Sequence, residues 1–294
     1  MWWTVISESG GIELIGKYRT HLADVLIVAE DLVNTLAVER ADGVVTLTLN
    51  RPDKKNAING GMWRELVAVF REIEDTPEDR VLVITGAGDA FCSGADLTDS
   101  DSAGDVVGGV GGSLRQMRIV GRAALALHSL PIPTIAAVNG VSAGAGCNLA
   151  LGCDLVVASE RARFSEIFSK RGLSLDFGGS WILPRLVGMH RAKELAFLAD
   201  IIDASEAERI GLVNRVVAHD QLGSVVAELA SRLAALPPIQ VAVTKKLLNQ
   251  SFSVSMAEAL EFEDVAQVMN FQSADTQEAM VAFVTKREPR FTGS

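Results

Sequence analysis

Tyrosine occurs once in 294 residues, and aromatic residues together make up 5% of the chain. So thin a supply argues against the stacked platforms that hold single-stranded nucleic acids. Basic residues are also in the minority, 27 against 37 acidic, for a net charge of −10. That balance disfavours a broad nucleic-acid surface but leaves room for a local basic rim facing an anionic small molecule. Cysteine is scarce and odd in number. Cys92, Cys147 and Cys153 sit in apolar surroundings, and the step from 147 to 153 matches no common metal pattern. They read as reduced core thiols of a cytoplasmic protein. Long apolar runs are missing as well: Glu8, Glu13 and Lys17 interrupt the apolar start, and no basic segment followed by an apolar one marks a signal peptide. What remains is 48% hydrophobic, without tandem repeats or low-complexity linkers, enough for one large globular domain or a domain with a smaller appendage.

Hydrophobic periodicity supplies the elements. Two strands over 36–39 and 44–49 flank an Ala41-Asp42-Gly43 turn, and a polar loop follows at 51–56. Asn59 caps an amphipathic helix over 61–74, and an apolar strand runs over 81–85. A helix over 114–130, a strand over 134–138, a small-residue helix over 142–150 and a strand over 154–159 continue the alternation. Strand, helix, strand in this order predicts a parallel α/β unit with right-handed crossovers. The glycine-rich stretch 104–112 reads as a mobile loop over the site. After Phe164 helices dominate, over 189–198, 205–210, 222–236, 239–249, 256–270 and 275–285, with one possible strand over 212–217. The expected organisation is an extension over 1–35, a core carrying the site over 36–215 and a helical region over 216–294. Leu247, Phe252, Leu260 and Phe262 in that last region either cover the sheet or pack against neighbouring subunits.

Two glycine-rich segments each follow an apolar strand: TGAGDAFCSGADL (85–97) and NGVSAGAGCNLA (139–150). Gly94 permits a turn that points the Ser93 amide inward. Together with an N–H near Ala145 it would place two donors on one carbonyl oxygen, and losing one such donor costs roughly 2.7–4 kcal/mol in the transition state. Close helix–strand packing is the other use of the same glycines. Gly86-Ala87-Gly88 lacks the third glycine of a dinucleotide fingerprint, and 86–94 lacks the Lys-Ser/Thr ending of a phosphate loop.

The segments LNRPDKKNAI (49–58), FCSGADL (91–97), AAVNGVSAGAGCNLALGCDLVVAS (136–159), FGGSWILPRLVG (177–188) and FVTKREPRFTG (283–293) come in a telling order. Over roughly residues 36–291 the chain resembles the enoyl-CoA hydratase/isomerase (crotonase) family. The resemblance implies an α/β superhelix of repeated ββα units with a helical C-terminal trimerisation region, assembled as a homo-trimer or dimer of trimers. It implies an acyl-CoA or enoyl-CoA thioester as substrate, coenzyme A entering as part of that substrate, with no metal and no permanently bound cofactor. By position, the two donors to the thioester oxygen are the backbone amides of Ser93 and Ala145. Ser93, Gly94, Ala95, Asp96 and Leu97 would lie along the coenzyme A, and Lys55, Asn56 and Ala57 would line its nucleotide part. Lys54 or Lys55 suits a 3′-phosphate, a solvated charged loop being the alternative.

The chain departs from the family at its acid–base positions. The two glutamates of the hydratases map to Asn148 and Phe168, neither of which takes up a proton at neutral pH. Asn148 keeps either an orienting hydrogen bond or a bond to neighbouring backbone. Asp176, with Leu173, Leu175 and Phe177 around it, reads as a buried general base or as the cap of a helix starting near 178. Several family isomerases place a lone aspartate near this point. Glu166, in FSEIF, is the second candidate, facing either the pocket or solvent. The expected reaction is double-bond isomerisation of an enoyl-CoA by a single aspartate. The alternatives are a hydratase with a non-standard acid/base set, an aspartate acting as nucleophile on aromatic thioesters, and an acyl-CoA-binding protein without turnover. His21, His128, His190 and His219 fall outside the motifs and read as surface or interface residues, and Trp63 and Trp181 as core.

Overall fold

Alternation along VVTLTL buries Val45, Leu47 and Leu49 on one face of a strand, and the fold grows from that face. The computed structural model describes residues 35–98 and 109–294. Strands β1 (Leu36–Ala41) and β2 (Val44–Leu49) pair as an antiparallel hairpin across Asp42 and Gly43, both with positive φ. Helix α1 (Gly60–Glu74) starts where Asn59 accepts the Met62 N–H at 2.8 Å, and its Trp63, Leu66 and Phe70 join the β2 side chains in the main core.

Three units then repeat the pattern of a long strand, a short strand and a helix. The first is β3 (Val81–Gly86), β4 (Ala90–Cys92) and α2 (Gly109–Ser129). The second is β5 (Thr134–Val138), β6 (Val141–Ala143) and α3 (Ala145–Leu151). The third is β7 (Leu155–Ser159), β8 (Arg163–Ser165) and α4 (Gly179–Leu198). The long strands, with β10 (Arg215–Val217), build a six-stranded sheet of order β1-β2-β3-β5-β7-β10, parallel from β2 onward. The short ones, with β9 (Ile202–Asp203), build a four-stranded sheet of order β4-β6-β8-β9. This is the expected α/β superhelix of ββα units.

Both faces of the large sheet are apolar, as befits parallel strands. Leu82, Ile84, Ala136 and Val138 face the main core, while Val81, Val83, Ile135, Ala137 and Val157 meet Leu222, Val226 and Ala230 of α6 (Leu222–Ala234). Among the described residues the remaining α-helices are α5 (Ala204–Arg209), α7 (Pro238–Gln250), α8 (Met256–Gln272) and α9 (Ala274–Thr285).

Several expectations need correction. Ser142 lies in strand β6, so β5 does not feed directly into the small-residue helix, which starts at Ala145. Small apolar residues suit either state, and pairing of Ser142 with Cys92 and Phe164 decides for the strand. Residues 109–112, expected in a loop, form the first turn of α2, while 104–108 lie outside the described residues, as do residues 1–34 and His21. Trp181 is exposed rather than core, with the Arg185 guanidinium 3.8 Å above its ring, whereas Trp63 is buried. Phe252, Leu260 and Phe262 are exposed and so do not cover the sheet. Among the described residues no single helix is long and apolar enough to cross a membrane.

Candidate active site

The small sheet sets the site. Pairing of Cys92 with Ser142, and of Ala143 with Ser165, puts the chain's exits from β4, β6 and β8 side by side. Those exits are Ser93-Gly94, Gly144-Ala145 and Glu166. Gly94 has φ 102°, and a Cβ there would stand 2.9 Å from the Ala143 carbonyl oxygen and 3.8 Å from the Ala145 nitrogen. Only glycine therefore lets the 93–95 segment lie against the start of α3. Gly146, the next residue of α3, serves the same approach, since a side chain there would overlap Cys92.

Ala145 is buried and opens α3, so its N–H has no acceptor within the helix. The Ser93 N–H donates to the Lys55 carbonyl at 3.0 Å, and the Ser93 hydroxyl reaches the Lys54 carbonyl at 3.3 Å. The two segments thus meet, with one of the two expected donors engaged by Lys55, whose φ of 49° turns its carbonyl toward Ser93.

The expected coenzyme A residues form one strip. Ile58 N–H donates to Gly94 and Asp96 N–H to Ile58, zipping 93–96 along 55–58. Asn56 is fully buried: its Nδ2 donates to the Ala87 and Ala90 carbonyls at 2.9 and 2.8 Å, and its Oδ1 accepts the Arg51 N–H. Asp96 pairs with Arg51 at 2.9 Å and accepts from Thr98, and these bonds, the Thr98 hydroxyl first, hold its carboxyl below the usual range. The side chains of Asn56 and Asp96 are thus used inside the protein. Ala57 is buried under the same strip, while Ala95 is part-exposed. Leu97 is exposed, as is Lys55, which reaches Asp89 at 3.4 Å.

The titratable groups gather where β8 and the start of α4 meet α3. Asp176 precedes Phe177 and Gly178, both left-handed at φ 47° and 80°. A phenylalanine in this region is strained by about 1 kcal/mol or more, and Phe177 is held there by burial and by its ring lying 5.4 Å from that of Trp63. The Asp176 carboxyl does not cap α4: Gly178 is the cap residue and no side chain bonds the first turn. Its Oδ1 is buried without a partner, and burial pushes the carboxyl up to about 6. Of the three apolar neighbours expected around it, Phe177 is buried, Leu175 half-buried and Leu173 exposed.

Asn148 is fully buried and fixes this loop, its Nδ2 donating to the Asp176 main-chain carbonyl at 3.0 Å and to Glu166 Oε2 at 3.4 Å. Glu166 is only 3% exposed, so it faces inward, and burial first, then the Asp176 charge, pushes it up to about 7. Glu166 lies one residue past β8, where Phe164, Ser165 and Glu166 are buried in succession, so no alternation in the sequence marked its inward side. The Asn148–Asp176 link left no sequence signal, because it joins side chain to backbone across 28 positions. Phe168, where the second hydratase glutamate would stand, is buried. Among the described residues no group of three or more His, Cys, Asp or Glu side chains is placed to hold a metal ion.

The enoyl-CoA hydratase/isomerase family model matches residues 39–294. The 1,2-epoxyphenylacetyl-CoA isomerase of Escherichia coli is 40% identical over 253 residues, 85% of this chain and 95% of that protein. The short-chain-enoyl-CoA hydratase of Clostridium acetobutylicum is 37% identical over 87% of this chain and 97% of its own. The crystal structure of an enoyl-CoA hydratase from Polaromonas superposes with a TM-score of 0.83 at 32% identity, covering 87% of this chain and 99% of that one. Sequence and fold agree that the chain belongs to the enoyl-CoA hydratase/isomerase (crotonase) family, whose chemistry is that of acyl-CoA thioesters.

Proposed function

We propose that this protein isomerises the double bond of an enoyl-CoA thioester with Asp176 as its acid and base. The carrying observation is a buried, unpartnered Asp176 oxygen whose carboxyl is pushed up to about 6, beside two positions where the hydratase glutamates are absent. The carboxylate takes a proton from C2 of a 3-enoyl thioester, and charge develops on the thioester oxygen. The Ala145 N–H receives that oxygen, with the Ser93 N–H joining once its bond to Lys55 is exchanged for the ligand. Asp176 then returns the proton at C4. Coenzyme A is part of the substrate and runs along Ser93–Leu97, with Lys55, Asn56 and Ala57 beneath its nucleotide. Since the Asn56 and Asp96 side chains are bonded internally, their contacts to it are through backbone.

A second reading is an enoyl-CoA hydratase with a non-standard acid/base set. It is favoured by the names of the relatives, which include short-chain-enoyl-CoA and crotonyl-CoA hydratases, and by Glu166 as a second buried carboxyl. The purified enzyme given 3-enoyl-CoA and, separately, 2-enoyl-CoA plus water tests the two. Conversion of the 3-enoyl to the 2-enoyl thioester is expected; hydration alone overturns the isomerase assignment.

We also propose that the protein works in the cytoplasm as a homo-trimer or dimer of trimers. In support, Phe252, Leu260, Phe262, Phe271 and Phe283 stand exposed on and near α8 and α9, large apolar side chains that association would take out of water.

A further inference from the structure

Behind Asp176 lies a second carboxyl that the isomerisation scheme does not use. Glu166 and Asp176 are joined through one carboxamide nitrogen, that of Asn148. Glu166 Oε1, Asn148 Oδ1 and Asp176 Oδ1 are all buried without a hydrogen-bond partner. The residues lining the small void beside Glu166 are Cys147 of α3, Phe164 and Ser165 of β8, Leu183 and Leu195 of α4, Ile202 of β9 and Leu212. Its titratable neighbours are the Cys147 thiol, itself pushed well above its ordinary value by burial and a hydrogen-bond donor that partly offsets the burial of Glu166, and Asp176. No lysine, arginine or histidine is among these groups. Two carboxyls so placed, with no cation facing them, cannot both carry charge without a large desolvation and repulsion cost.

We propose that Glu166 and Asp176 hold one proton between them, and that Glu166 is a positioning residue which stays protonated while Asp176 is the carboxylate. Neutral Glu166 accepts from Asn148, which keeps the Asp176 carbonyl in place, and it adds no second charge near the developing thioester oxyanion. The inference rests on the isomerase reading for the role of Asp176, but the proton pair can be tested apart from it. The order of ionisation follows from the surroundings. Glu166 is 3% exposed and Asp176 only half-buried, so charging Glu166 costs more desolvation and the proton stays there while Asp176 ionises. Turnover then rises as Asp176 loses its proton and falls as Glu166 loses its own.

The test compares the pH profiles of kcat/KM for the unaltered enzyme and Glu166→Gln, a neutral side chain that still accepts from Asn148. The alkaline fall disappears in Glu166→Gln, whatever the height of its profile; a side chain that only packs would lower the profile evenly. An alkaline fall unchanged in Glu166→Gln overturns the proposal. Should that variant not fold, infrared titration of carboxyl groups in the unaltered protein and in Asp176→Asn decides. The Glu166 midpoint is expected to drop by about one pH unit when the neighbouring charge is removed. An unmoved midpoint overturns the pair. A lowered midpoint with turnover intact in Asp176→Asn keeps the pair and removes Asp176 from the isomerisation.

Discussion

The Asn148 carboxamide donates to the main-chain carbonyl of Asp176 at 3.0 Å, so a buried amide of α3 fixes the loop that carries the proposed acid and base. The carbonyl also receives the Gly179 N–H at 2.9 Å, which ties the loop to the first turn of α4. Substituting Asn148 by Ala removes a buried donor and leaves Glu166 without its carboxamide partner. A loss of about 1–3 kcal/mol in unfolding free energy is expected. Chemical denaturation beside steady-state kinetics checks this, and with Asp176 as the proposed base kcat should fall more than KM rises, because its loop is displaced rather than the strip proposed for coenzyme A.

The carboxyl cluster makes stability depend on pH in a definite direction. Glu166 rises from 4.5 to about 7 on folding, so the folded state binds its proton more tightly than the unfolded chain. Stability is therefore greatest below the unfolded value and declines as pH rises through the folded one, by roughly 3 kcal/mol for this group. Asp176, raised to about 6, adds a decline in the same direction at lower pH. Urea denaturation at about pH 5 and about pH 8 should show a smaller decline for Glu166→Gln than for the unaltered protein. Parallel declines would contradict the assignment.

Gly94 is held at φ 102° with the Ala143 carbonyl 2.9 Å from where a Cβ would stand. Gly94→Ala must rotate or shift the 93–95 segment away from α3, which moves the Ser93 amide relative to that of Ala145. A drop in kcat of about tenfold or more is expected, with acyl-CoA binding less affected. Single-turnover kinetics beside calorimetric binding of a saturated acyl-CoA separates the two effects.

Exposed Phe262, Phe271 and Phe283 on the last two helices predict association. Light scattering on the purified protein should give a mass of three, or a multiple of three, 31.3 kDa chains. A single-chain mass at micromolar concentration would contradict it.

The fold was legible in the chain where periodicity and caps were strong. Asn59 as the cap of α1, the Asp42-Gly43 hairpin and the apolar strand at Thr134–Val138 each carry a local signal that the packed structure uses unchanged. The short second sheet was not legible. Strands of three residues such as Val141–Ala143 carry no period, and their pairing with β4 and β8 is decided across distant sequence. In the site, a buried Asp176 oxygen was foreseeable from the apolar residues around it, but their placement was not: Phe177 turns inward against Trp63 on a left-handed backbone while Leu173 points to solvent. The engagement of the Ser93 amide by Lys55 was hidden for the same reason, since it depends on the positive φ of a lysine.

The most direct test of Asp176 as acid and base is exchange between solvent deuterium and the C2 and C4 positions of an enoyl-CoA bound to the unaltered enzyme and to Asp176→Asn. The carboxamide keeps the shape of the side chain, so acyl-CoA affinity should hold while exchange and isomerisation both fall by about a hundredfold or more. Exchange and isomerisation at unaltered rates in Asp176→Asn would show that the proton is carried by another group.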